Sequence, residues 1–140
     1  FYAQSNDMRL KKLNAFTLME VLIAIGIIGV LMLIALPNLM PLITKAKSLE
    51  AKIQLKFIAN LQTQYRFINS KYSSEFNEID YEAPKTVNEG GTANYNYFLM
   101  EASITTFKAR AEAVVDFDGD GVFNVWEIDQ EGTPKEIIKD

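Results

Sequence analysis

The 140-residue sequence contains neither cysteine nor histidine. Without cysteine there is no disulfide staple, no thiol nucleophile and no site for a lipid-modified cysteine anchor. Without histidine the commonest general base is missing, and any metal site has to be built from oxygen ligands, which suit a hard cation rather than zinc. An excess of positive charge is also absent: 14 Lys and Arg against 18 Asp and Glu give −4, which is no nucleic-acid-binding balance. Length is modest as well. The chain holds one domain at most, and setting aside any membrane anchor leaves about 100 residues for a small core.

What the chain does have is a long apolar run, FTLMEVLIAIGIIGVLMLIALP, from Phe16 to Pro37. It is long enough to cross a bilayer as a helix, yet it carries one acid, Glu20, just inside its start. Arg9, Lys11 and Lys12 precede it, whereas a chain starting at Phe16 holds eleven basic and seventeen acidic side chains, a balance of −6. By the positive-inside tendency the N-terminus lies in the cytoplasm and the C-terminal part outside the inner membrane. A secretory signal is cut after its apolar core, but here the small residue Ala15 stands before that core, so cleavage at Ala15/Phe16 would retain the helix.

Ala15, Phe16, Glu20, the apolar run and Pro37 keep a relative spacing that resembles the class III signal and first helix of type IV pilins and type II secretion pseudopilins. The resemblance covers roughly the first third of the chain, and departs from the usual pattern in having alanine rather than glycine before the cut. It implies that a prepilin peptidase cleaves before Phe16 and methylates the new amine. It also implies that Glu20 meets the Phe16 amine of an adjoining subunit. A carboxylate in hydrocarbon costs several kcal/mol unless paired or protonated, so such a pair would fix subunit register. The bland reading places Glu20 at the headgroup level. Gly29, with Gly26, permits close helix packing, and the resemblance implies that the stretch Gly29 to Pro37 unwinds in assembled filaments.

Residues 1–15 are therefore read as a leader, with 1–7 set aside as extraneous, 16–41 as the transmembrane and filament-core half of a long helix, and 42–140 as a periplasmic domain. Within that domain Leu42, Ala46, Leu49, Ile53, Phe57, Leu61, Tyr65 and Ile68 recur at steps of three or four, with Lys45, Lys47, Lys52, Lys56 and Arg66 between them. This is the pattern of an amphipathic helix over 42–70, with that stripe as its apolar face. Pro37 and Pro41 predict a kink or loosening between the halves. Residues 71–92 read as a loop holding at most one short helical turn. The period then changes to two over 93–140, with strands beginning at Tyr95 and Phe107, a third from Val122 to Asp129 and a short edge strand from Lys135 to Ile138. The expected fold is α+β and pilin-like: a long N-terminal helix packed on a small antiparallel sheet of three to four strands.

Between the second and third strands lies DFDGDGVFNVWE. Asp116, Asp118 and Asp120 at positions one, three and five, Gly121 at six, Asn124 at nine and Glu127 at twelve reproduce the calcium loop of EF-hands. Val122 would add its carbonyl. An EF-hand has flanking helices, whereas here strands flank the loop, so either Glu127 or Asp129 is expected to close the site. The alternative is a metal-free hairpin whose Asp-Gly pairs serve the backbone turn. Tyr95, Tyr97, Phe98 and Trp126 are read as sheet core rather than as a platform for single-stranded DNA, and no nucleic-acid partner is expected.

These readings describe a non-enzymatic subunit of a type II secretion-type pseudopilus, stabilised by calcium. Its expected partners are further copies in a helical filament, minor pseudopilins, an inner-membrane assembly platform, prepilin peptidase and the membrane. The alternatives are a surface type IV pilus subunit and, from another class, a membrane-tethered calcium-binding domain that never polymerises.

Overall fold

The structure is a computed structural model that describes residues 14–140, so the leader cations Arg9, Lys11 and Lys12 lie outside the described residues. One helix, α1 (Leu18–Asn69), is followed by strands β1 (Tyr95–Ala102), β2 (Phe107–Ala113), β3 (Val125–Asp129) and β4 (Lys135–Ile138). The chain divides into two units, one ending at Pro37 and the other spanning Asn38–Asp140. In the first unit the described side chains are exposed throughout. The α-helical assignment continues through Pro37 and Pro41 without a gap.

Thr17 and Glu20 start α1. The Thr17 hydroxyl accepts from the Glu20 amide at 3.2 Å while the Glu20 carboxylate accepts from the Thr17 amide at 3.1 Å. Two amides that lack intrahelical partners are thereby satisfied. At the other end Ser70 takes the left-handed conformation at φ 60° and donates its amide to the Arg66 carbonyl, closing the last turn.

In the second unit the four strands form an antiparallel meander in the order β1-β2-β3-β4. Along β2, Phe107, Ala109, Ala111 and Ala113 are buried and alternate with Lys108, Arg110 and Glu112, as the period-two pattern requires. Cross-strand neighbours place Tyr97, Ala111 and Trp126 in one row of the buried face. The core joins these residues to Ala51, Leu55, Ile58 and Ala59 of α1. Tyr95, Tyr97 and Trp126 are core residues, while Phe98 is 42% exposed on the opposite face of the sheet.

The helix is where the sequence places it, but of the expected apolar stripe only Leu61 and Tyr65 pack against the core, and the fully buried face is another one. Ser48, Ala51, Leu55, Ile58, Ala59 and Gln62 point into the core. Leu42, Leu49, Ile53 and Phe57 are 50–64% exposed, and Ala46 and Ile68 are exposed as well. At 100° per residue the two stripes are centred nearly opposite one another. The buried one is rich in small residues, which let the helix approach the alanines of β2, and its one large polar group is internally satisfied: Gln62 and the Ser73 backbone exchange two hydrogen bonds of 2.8 Å.

The connecting segment holds two 3-10 turns, Phe76–Ile79 and Val87–Glu89, where at most one was expected. A bridge between Thr86 and Ala93 brings the Gly91 backbone against Lys85, where an added Cβ would clash with the Lys85 carbonyl. Only glycine fits there. β3 starts at Val125 rather than Val122, because Val122 and Phe123 belong to the preceding loop and are about 40% exposed.

Candidate functional site

Two places in the chain carry the residues singled out by sequence. The first is the start of α1. Phe16 is 85% exposed immediately before the helix, Ala15 is exposed beside it, and Glu20 stands in the first turn. Gly29 has open space where a Cβ would go, and Pro37 lies on the exposed surface of the same helix. By length and composition α1 is able to cross a membrane. The capping pair adds a local role for Glu20 that was readable as Thr-x-x-Glu ahead of an apolar run.

The second place is the β2–β3 connection. Gly119 and Gly121 adopt φ of 81° and 88°, which turns the backbone so that Asp116, Asp118 and Asp120 share one side of the loop. Asp116 accepts from the amides of Gly121 and Gly119, Asp118 from Asp120, and Asp120 from Val122. The Gly121 amide, followed by that of Gly119, holds the Asp116 carboxyl below its ordinary range. Asp140, which the sequence reading missed, joins them: one oxygen from each of these four carboxylates lies within 4.8 Å of the others. Its Oδ2 accepts from the Phe117 amide at 2.8 Å, and its Oδ1 is buried without a hydrogen-bond partner among the described residues. Phe117 anchors the loop, its ring packed edge-on to Tyr95 with the Lys47 ammonium 5.0 Å above it.

The remaining expected ligands are placed elsewhere. Asn124 is 1% exposed; its Oδ1 accepts from the Tyr95 hydroxyl and the Trp126 indole at 2.6 Å each, and its Nδ2 donates to the Ile138 carbonyl. Its oxygen is committed to the sheet. Glu127 faces outward on β3 and binds Arg110 of β2 at 2.6 Å. Asp129 accepts from the Glu131 amide in the turn to β4. A helix leaving the loop would swing position twelve back toward the acids, but an extended strand carries it away, and Val122 remains in the loop.

Residues 10–36 match the prokaryotic N-terminal methylation motif. The sequence is also 36% identical over 88 residues to the type IV major pilin protein PilA of Myxococcus xanthus (strain DK1622), an alignment covering 60% of this chain. It takes in 40% of that relative, so the chain spans about two fifths of the relative's length. The chain resembles type IV pilins over these stretches. Among the described residues α1 is the one helix long and apolar enough to cross a membrane, and its first part lies within the matched motif.

Several polar contacts invisible in the sequence pin the connecting segment to α1, among them Tyr81 to Gln54 and two that involve its backbone. One is the Gln62–Ser73 exchange. The other is Glu50, whose carboxylate accepts from both the backbone and the side-chain amide of Asn94, 44 residues away, just before β1. Lys52 lies 4.7 Å above the Trp126 ring, and Lys45 and Lys56 are exposed.

Proposed function

We propose that this chain is the structural subunit of a helical filament, cut before Phe16 by a prepilin peptidase, held in the inner membrane by α1 and then packed helix against helix. The observation that carries the reading is Glu20, an acid in the first turn of an apolar helix that buries none of its membrane-length segment within the chain. A neighbouring copy's Phe16 amine would neutralise it. In this reading the C-terminal unit is periplasmic before assembly, and the assembly platform and minor subunits are partners. The likeness to the Myxococcus type IV major pilin supports a surface type IV pilus, whereas the acidic loop supports a pseudopilus of type II secretion.

Two substitutions separate the charge of Glu20 from its capping role. Glu20→Gln keeps a residue that completes the cap, and Glu20→Ala removes both. Both chains are expected to reach the membrane and to show the intact mass of a product beginning at methylated Phe16, yet to form no filaments. Filaments from the Gln variant would make the cap, not the charge, the function of this residue.

The acidic loop is proposed as a calcium site. Its donor set fits a hard cation: oxygens alone, from Asp116, Asp118, Asp120 and Asp140, with one buried oxygen lacking a partner among the described residues. Bound calcium would neutralise the clustered charge and tie the segment after β4 to the loop. Extracellular modules of this kind bind at about 10⁻⁴ to 10⁻³ M, so calcium at ten times Kd should add about 1.4 kcal/mol. Calcium is therefore expected to raise the melting temperature by several degrees, and Asp118→Ala with Asp120→Ala to abolish that rise. Equal calcium-induced shifts in both proteins would remove the metal from the account.

A further inference from the structure

The expected apolar stripe of α1 divides into two surfaces in the folded unit. Its N-terminal part, Leu42, Leu49 and Ile53, faces away from the core and touches no other element's hydrophobic cluster. Exposed lysines Lys45 and Lys56, three turns apart, border it on one side, and neither has an ion-pair partner among the described residues. Its C-terminal part lines a groove of about 280 Å³, open to solvent, between the last turns of α1 and the first 3-10 turn. Leu61, Tyr65, Ile68 and Ile79 are its apolar lining, and Glu78 and Asp80 its acidic lining.

The groove is built rather than incidental. The Tyr65 hydroxyl donates to Glu78 Oε2 at 2.6 Å and the Ser73 hydroxyl to the same oxygen at 3.0 Å. These bonds, with the charge of Lys71, hold the Glu78 carboxyl below its usual range. Asp80 is presented beside it from a left-handed backbone position at φ 54°. An apolar lining with two acids therefore stands on the same unit as an apolar ridge with two lysines.

We infer that the acid-lined groove receives the lysine-flanked ridge of α1 from a second copy of this chain. The inference rests on the filament reading and names a contact that reading does not require. Such a contact is heterologous, because the surface offered by one copy differs from the surface used by the next, so a row of copies keeps one free ridge at one end and one free groove at the other. Charge complementarity fixes the pairing: ridge against ridge would oppose lysines, and groove against groove would oppose carboxylates.

The absence of native cysteine makes the test clean. Two tagged copies of the full chain are expressed together, one with Gln64→Cys at the groove and the other with cysteine at Ala46 or Asn60 on the ridge, and membranes are treated with a short bismaleimide. Ridge-to-groove dimers are expected, with few from Gln64→Cys paired with itself or with Thr133→Cys on the β3–β4 turn. Lys45→Glu with Lys56→Glu should remove the product, and Asp80→Lys added to the groove copy should restore it. Filaments without ridge-to-groove product overturn this contact and leave the filament reading standing. Product from a chain that makes no filaments supports the contact while removing that reading. Product that survives charge reversal, or joins Gln64→Cys only to a different protein, overturns the inference.

Discussion

Asn124→Ala is expected to lower the stability of the C-terminal unit by about 3–5 kcal/mol, since each polar group left unsatisfied costs about 1–3 kcal/mol. The substitution strands the Tyr95 hydroxyl, the Trp126 indole and the Ile138 carbonyl together. Urea unfolding followed by the fluorescence of Trp126, the one tryptophan, reads the loss directly. Adding Tyr95→Phe removes one stranded group, so the double variant should lose less than the sum of the two single changes. The cost should be the same in calcium and in chelator. A loss seen only with calcium would return Asn124 to the ligand set, and a loss below about 1 kcal/mol would show that the hub is solvated.

The second large effect concerns the helix face. Leu55→Ala should cost about 2–5 kcal/mol, the range for emptying a core leucine site, because Leu55 is fully buried. Ile53→Ala, two residues away on the expected stripe, should stay within about ±0.5 kcal/mol in the unassembled chain. The reverse order would mean that the sheet covers the other side of α1.

The error about that face has a physical cause. Periodicity ranks stripes by hydrophobicity, and the outward stripe, with Leu49, Ile53 and Phe57, outranks the inward one, with Ser48, Ala51 and Gln62. Small residues win the core because β2 presents alanines, and Gln62 is admitted because Ser73 satisfies it, eleven positions later. Neither condition is local. The alternation in β2 and the short β4 after Pro134 were legible, because each pattern is complete within a few residues. In the acidic loop the turn itself was legible from Asp-Gly spacing. The fate of positions nine and twelve was not, since it depends on the Tyr95 and Arg110 neighbours across the sheet. Asp140 escaped notice because β4 alone returns it to Asp116.

The order of the chain gives the meander a kinetic meaning. Every strand pairs with its neighbour in sequence, so the sheet assembles from local hairpins once its residues exist. The inward face of α1 is made first and has nothing to cover it until β1, β2 and β3 have followed. During synthesis Ala51, Leu55 and Ile58 are therefore a bare adhesive surface directly downstream of the membrane-length run. That interval is when a nascent subunit is most in need of a chaperone, and a pause in translation before Tyr95 would prolong it.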